Sequence, residues 1–186
     1  MTPYELAKSE VGTMEWAEGS NPKVVAYYRD AGFPEVKDDA VAWCAAFVGA
    51  MIKRTGGKPS GSLAARSYLK WGKPVALLDA KPGDIVVFRR GNSTWQGHVG
   101  FYVSQKGGMI QVLGGNQRDE VNVADQPVAK LLGVVRGVSA PVNGGTSTTP
   151  PLTSIPVADK IPPKTIAKPP SFWARIIAAL FKRNSA

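Results

Sequence analysis

The sequence has almost none of the residues from which disulfide frameworks and metal sites are built. Its 186 residues include one cysteine, Cys44, and one histidine, His98. A single thiol excludes an internal disulfide. One Cys and one His give no zinc pattern, and the chain has no Asp-rich calcium loop. We therefore expect no metal and no cofactor, and the two rare residues become the first candidates for chemistry.

Long apolar runs are missing as well. No stretch of about 18 apolar residues exists, so no standard membrane-spanning helix is expected. The first residues, MTPYELAKSEVG, lack the apolar core of a signal peptide and include two glutamates. We expect a protein made without a signal peptide, so any action outside the cytoplasm requires another exit route.

Positive charge is unevenly distributed. The net charge is +9, and residues 139–186 hold six Lys and Arg against one acidic residue. Basic proteins bind nucleic acid, membrane surfaces or anionic wall polymers. Nucleic acid is disfavoured here, because the excess lies on the tail and not on a face lined with aromatic residues.

The order of patterns predicts an α+β fold. Helices are expected from Thr2-Pro3, from Asn21-Pro22, over AWCAAFVGAMIKR and from Ser62 to Gly72. The later segment KPGDIVVF reads as a turn followed by a strand of β-branched and aromatic residues, HVGFYVS and MIQVL read as two further strands, and shorter candidates follow near EVNV and LLGVV. Helices followed by strands indicate N-terminal helices packed on a C-terminal antiparallel sheet.

Composition changes near residue 139 and predicts three parts. Residues 1–138 read as the folded domain, and residues 139–170, with eight prolines, as a semi-rigid linker. Residues 171–186 read as a cationic amphipathic helix that either meets an anionic membrane or lipopolysaccharide, or docks on the folded domain or a partner. The residues expected at a membrane are Phe172, Trp173, Arg175, Ile176, Ile177, Leu180, Phe181, Lys182 and Arg183.

Cys44, His98 and Asn116 form a candidate catalytic set. Cys44 lies near the start of a predicted helix, whose positive end favours a thiolate, although a buried core cysteine is the alternative. His98 opens a strand after Gly97, and the hairpin that follows returns near residues 115–117. The Asn116 amide could there orient the imidazole, as in a nucleophile–base–orienter triad, unless GGN is only a turn.

Four motifs in this order make the chain similar to a known family. WCAAFV, GDIVVFRRG, GHVGFYV and LGGNQ resemble the CHAP group of cysteine, histidine-dependent amidohydrolases/peptidases, in particular short bacterial and phage proteins. The resemblance spans about residues 4–137 and implies a papain-like domain. It implies that Cys44 attacks an amide carbonyl, that His98 takes the thiol proton and that Asn116 orients His98.

The sequence departs from the family pattern at two places. Many relatives carry a glutamate two residues before the asparagine, where this chain has Gly114. No glutamine precedes Cys44, in contrast to papain-type proteases. We therefore expect three catalytic members, and an oxyanion held by the backbone N–H of Cys44 and a neighbour.

Further side chains could line a substrate groove. Trp43 and Trp95 could contact sugar or stem peptide, Arg66 could meet a stem-peptide carboxylate, and Gln117 adjoins Asn116. Packing or solubility is the competing explanation for each of the four. Asp38 and Asp39, which precede the Cys44 helix, are read either as acids at the start of that helix or as groups that position a substrate amine.

The resemblance implies a peptidoglycan hydrolase, in particular an endolysin that cleaves an N-acetylmuramoyl-L-alanine amide or a peptide bond. Such an enzyme would be made in the host bacterial cytoplasm and act on the wall from the periplasm or from outside. We expect a monomer. The competing functions are an antibacterial secreted effector amidase and a non-catalytic cell-wall-binding module.

Overall fold

The computed structural model describes residues 1–137, so the predicted linker and tail helix lie outside the described residues. Three α-helices come first and six β-strands follow. The helices are α1 (Pro3–Ser9), α2 (Pro22–Ala31) and α3 (Cys44–Arg54), and the strands are β1 (Lys73–Val75), β2 (Ile85–Arg89), β3 (Gly97–Lys106), β4 (Met109–Gly114), β5 (Asn122–Pro127) and β6 (Leu131–Arg136).

Local sequence signals account for the ends of the first two helices. Thr2 caps α1, and Glu5 completes the capping box that the sequence predicts. Asn21 caps α2, where its side chain accepts a hydrogen bond from the N–H of Lys23. Gly32 ends α2 in the left-handed conformation, with φ of 102°, which glycine adopts at little cost.

The six strands form one antiparallel sheet in the order β1-β6-β2-β3-β4-β5. The predicted α+β class, with N-terminal helices followed by an antiparallel sheet, is confirmed. One local expectation is wrong, and one strand was not predicted. The segment from Ser62 to Gly72 forms a 3-10 helix at Ala65–Lys70 rather than an α-helix. The short edge strand β1 carries no recognisable pattern because it has only three residues.

The two faces of the sheet bury different side chains. Val99, Phe101 and Leu113 pack with α3 in the larger core. Val86, Phe88 and Tyr102 belong to a second core. Their side chains alternate along the strands with those of the larger core and therefore point to the other face of the sheet. Because Phe88 pairs directly with His98, strand alternation places the imidazole on the Phe88 face.

The pairing between β3 and β4 does not extend to the first residues of β3. Its recorded pairs run from Lys106–Met109 to Phe101–Leu113, whereas His98 pairs with β2. The recorded β4 pairs therefore end before the first residues of β3, where the backbone N–H of Val99 faces the sulfur of Cys44. Within residues 1–137, no helix is long and apolar enough to cross a membrane.

Candidate active site

Cys44 is the first residue of α3 and is 5% exposed. Backbone N–H groups of Val99, Ala45 and Cys44 itself face its sulfur and favour the thiolate. Val99 directly follows His98 in β3. The sulfur of Cys44 therefore lies against the backbone of the residue next to His98. Two of these donors belong to the first turn of α3, where N–H groups lack intrahelical partners.

Burial decides the charge state of the thiol. It raises the pKa of Cys44 above the ordinary thiol value, more than the three N–H groups and the positive charge of Arg90 lower it. The expectation that the helix start yields a thiolate is therefore wrong for the resting structure. Cys44 is a neutral thiol that needs a base.

His98 is 6% exposed and its ring is held by one amide. Its Nε2 lies 3.0 Å from Oε1 of Gln117. The Gln117 Nε2 group donates to the backbone oxygens of Val112, at 3.1 Å, and Asn122, at 2.7 Å. These acceptors fix which end of the amide faces the ring, because only the nitrogen can donate. His98 consequently bears its proton on Nε2, and Nδ1 is left as the acceptor.

The structure corrects the predicted orienting residue. The hydrogen-bond partner of the imidazole among residues 1–137 is Gln117, whereas Asn116 lines the cavity beside it. The motif LGGNQ contained both amides, but Asn116 takes a left-handed φ of 56°, and the chain turns so that the next side chain enters the interior. Sequence spacing alone cannot resolve such a one-residue difference.

The same geometry explains why Gly114 replaces the family glutamate. A Cβ at position 114 would lie 3.3 Å from both His98 Nε2 and the Gln117 amide carbon. The Gln117 amide therefore fills the space into which a side chain at position 114 would point. One amide from the following turn supplies the contact to the imidazole.

Burial also sets the charge of the imidazole. It lowers the pKa of His98 to about 4, with a smaller opposing effect from the Gln117 hydrogen bond and a further lowering by Arg90. The ring is therefore neutral at pH 7 and able to accept a proton at Nδ1. A neutral thiol at Cys44 and a neutral imidazole at His98 are the resting state that these shifts favour.

This lowered pKa predicts a pH dependence of stability. Unfolded histidine titrates near about 6.5, so between that pH and about 4 the unfolded chain binds the extra proton and stability falls as pH falls. We expect about 2 kcal/mol of loss in the free energy of unfolding between pH 7.5 and pH 5. Urea denaturation at the two pH values measures it. His98→Asn should remove most of the loss, and an equal loss in that variant would contradict the assignment.

An open cavity of about 610 Å³ adjoins the imidazole. His98, Asn116 and Gln117 form part of its wall. Cys44 is not among its lining residues. Substrate in this cavity would approach His98 directly.

The other residues predicted to contact substrate differ in their exposure to solvent. Trp43 is fully buried, stacks on Tyr27 and donates from Nε1 to Glu15 at 2.7 Å, so the prediction that it contacts substrate is wrong. Arg66 donates from Nε to Gln96 O and from Nη2 to Ser93 O, which fixes the loop before His98. Trp95, in that loop, is 72% exposed. Substrate contacts by Arg66 and Trp95 stay predictions.

Asp38 and Asp39 shape the segment before α3. Asp39 accepts the Asn21 N–H at 2.7 Å, and Asp38 accepts the Ala40 N–H at 2.8 Å. Both acids thus hold the loop that leads to Cys44. Within the described part of the chain, no three His, Cys, Asp or Glu residues are placed to hold a metal ion.

Comparison with protein families gives one match: residues 36–116 fit the CHAP domain. The matched range contains Cys44, His98 and Asn116 and ends one residue before Gln117. The resemblance seen in the sequence motifs is thereby confirmed. The curated proteins searched contain no match to this sequence.

Solved structures provide similar folds at low sequence identity. The peptidoglycan hydrolase RipB from Mycobacterium tuberculosis is 20% identical, with TM-score 0.47, over 74% of this chain and 64% of that one. The endolysin LysIME-EF1 is 14% identical, with TM-score 0.49, over 74% of this chain and 65% of that one. RipD from M. tuberculosis, described as a non-catalytic NlpC/p60 domain protein with a peptidoglycan-binding function, is 17% identical, with TM-score 0.45, over 74% of this chain and 99% of that one. This chain thus spans slightly less than two thirds of the first two structures.

Proposed function

We propose that this chain, in which residues 36–116 form a CHAP domain, is a peptidoglycan hydrolase that works through Cys44, His98 and Gln117. The observation that carries the proposal is the hydrogen bond from His98 Nε2 to Gln117 Oε1, at 3.0 Å. It leaves Nδ1 as a neutral acceptor on a residue whose neighbour, Val99, contacts the sulfur of Cys44.

The proposed reaction is acyl transfer to the thiol. As the sulfur of Cys44 attacks the amide carbon, His98 Nδ1 takes the thiol proton, and the imidazolium then returns a proton to the leaving amine. Water, deprotonated by His98, hydrolyses the thioester and regenerates the thiol. The N–H groups of Cys44 and Ala45 face the sulfur and are the candidates for holding the oxyanion, a contribution of about 2.7–4 kcal/mol per donor.

Digestion of purified sacculi tests the function. Mass spectrometry of the released fragments should reveal new termini of one kind, either free N-acetylmuramic acid carboxyls with free L-alanine amines or new ends within the peptide. The first pattern identifies an amidase and the second an endopeptidase. Fragments identical to those of an untreated sample would refute hydrolysis.

The burial of Cys44 supports a second candidate function, a non-catalytic cell-wall-binding module. Cys44 is 5% exposed and burial raises its pKa. Structural cysteines that do not react have such an environment. A module of this kind would bind sacculi without releasing fragments. An endolysin and an antibacterial effector share the same chemistry, and genes for a holin or for an immunity protein beside this gene would separate them.

The tail supplies a proposal about location. We propose that residues 171–186 bring the enzyme to an anionic membrane or lipopolysaccharide, as the basic and apolar residues of SFWARIIAALFKRN suggest. Removing residues 171–186 should weaken lysis of intact Gram-negative cells and spare the digestion of purified sacculi. Turbidity assays on both substrates measure this, and an equal loss on both would count against a membrane role.

A further inference from the structure

The cavity beside His98 is lined by an excess of positive charge. Four of its lining residues are cations and one is an acid; they are Arg89, Arg90, Arg118 and Lys130, and Asp125. All five side chains are exposed. None of the four cations forms an ion pair within 4.0 Å among the ion pairs recorded for residues 1–137. The cavity therefore offers its charge to a ligand.

Two of these cations line the cavity from segments next to His98 and its amide partner in the chain or in the sheet. Arg90 directly follows Arg89, which pairs with Gly97, the residue before His98. Arg118 directly follows Gln117, whose amide holds the ring. The positive charge of Arg90 reaches both Cys44 and His98, because it lowers the pKa of each. Arg89 differs from these two, since its Nη2 donates to Ala129 O at 3.4 Å.

Arg118 also occupies a costly backbone conformation. Its φ is 58°, in the left-handed region that side chains other than those of Gly and Asn rarely adopt. Asn116 and Asp119 in the same turn share that conformation, with φ of 56° and 64°. The turn thus places an arginine at the cavity at a position that glycine would occupy with less strain.

The position of these guanidinium groups indicates the ligand. A group bound in this cavity lies beside His98, the base of the proposed reaction, and therefore near the amide that is cleaved. In peptidoglycan, free carboxylates of the stem peptide occur close to amide bonds, whereas phosphate belongs to separate wall polymers. Guanidinium pairs with a carboxylate through two parallel hydrogen bonds, which gives geometric selectivity as well as affinity.

We propose that Arg90 and Arg118 bind a free carboxylate of the stem peptide next to the scissile bond, so that the protein selects carboxylate over carboxamide stems. This inference rests on the proposed function for its substrate class. Arg89 and Lys130 add positive charge at the rim of the same cavity. Asp125, the acid in the wall, disfavours a ligand of high negative charge and suits a single carboxylate.

Paired stem peptides test the selectivity. Two synthetic peptides with the same sequence, one with free carboxylates and one with carboxamides, are compared by kcat/KM. The wild-type chain should prefer the carboxylate peptide by about 10- to 100-fold. Arg118→Gln and Arg90→Gln should each reduce that preference, mainly by raising KM for the carboxylate peptide. Lys53→Gln, which removes an exposed cation outside the cavity, should leave the preference unchanged.

Binding to inactive protein separates this inference from the proposed function. Calorimetry on full-length Cys44→Ala should show tighter binding of the carboxylate peptide, and the double variant with Arg118→Gln should lose the difference. Equal hydrolysis of both peptides would overturn the inference and leave the hydrolase proposal standing. Selective binding with no hydrolysis by wild type would support the carboxylate site and refute the hydrolase. Preferential binding of a phosphate-bearing wall polymer would overturn the choice of carboxylate.

Discussion

Cys44→Ala is expected to reduce hydrolysis of purified sacculi by about 10⁴-fold or more, because it removes the nucleophile. The chain has one cysteine, so no other thiol can replace it. Removing one sulfur from a buried site should cost only about 1 kcal/mol of stability. Turbidity loss at matched protein concentration measures the rate, and circular dichroism verifies the fold.

Two outcomes of this experiment are informative. Clearing of sacculi by Cys44→Ala as fast as by wild type would refute thiol catalysis. A second variant, Cys44→Ser, keeps a hydroxyl at nearly the same position and provides the matched control for packing. If the serine variant folds like wild type and is as inactive as the alanine variant, the loss of activity is caused by the missing sulfur and not by a cavity in the core.

Gln117→Leu is expected to lower kcat by about 10²- to 10⁴-fold, whereas Asn116→Leu should change it far less. The reason is the contact of the Gln117 amide with His98 Nε2, which holds the ring in the tautomer that leaves Nδ1 free. Steady-state kinetics on a synthetic stem peptide measures both variants. A larger loss for Asn116→Leu than for Gln117→Leu would restore the assignment made from the sequence.

A conservative variant distinguishes positioning from general damage. Gln117 also donates to the backbone oxygens of Val112 and Asn122, so Gln117→Leu leaves buried acceptors unpaired and destabilises the fold. Gln117→Glu keeps the shape and places a carboxylate against Nε2–H, which favours the imidazolium. The acid limb of its kcat/KM profile should therefore move to higher pH than that of wild type. An unchanged profile would contradict an orienting role.

The sequence predicted the elements that depend on local signals. The capping box at Thr2 and Glu5 is present because it needs only residues three positions apart. The strands β2, β3 and β4 are rich in β-branched and aromatic or other apolar residues and were placed correctly. The strand β1 and the 3-10 helix at Ala65–Lys70 were missed, because a three-residue edge strand and a short turn depend on tertiary packing.

The sequence analysis selected two of the three residues of the candidate site, Cys44 and His98, but not Gln117 as the residue that orients His98. Cys44 and His98 could be selected because the chain has one of each. The exchange between Asn116 and Gln117 could not, because it depends on the left-handed conformation of Asn116, which turns the chain after Gly115. Trp43 illustrates the same limit: its ring contacts Gly115, where a Cβ would lie 2.4 Å from it, and a close contact of this kind between α3 and the turn after β4 leaves no periodic signal.

Alkylation of Cys44 by iodoacetamide, followed by intact mass, tests most directly whether the thiol and the imidazole act together. Because the chain has one cysteine, every adduct reports on that site. We predict that wild type reacts at pH 7 at least about tenfold faster than a folded His98→Asn variant, since Nδ1 takes the thiol proton. Equal rates in the two folded proteins would mean that His98 does not serve Cys44, and the catalytic account would be wrong.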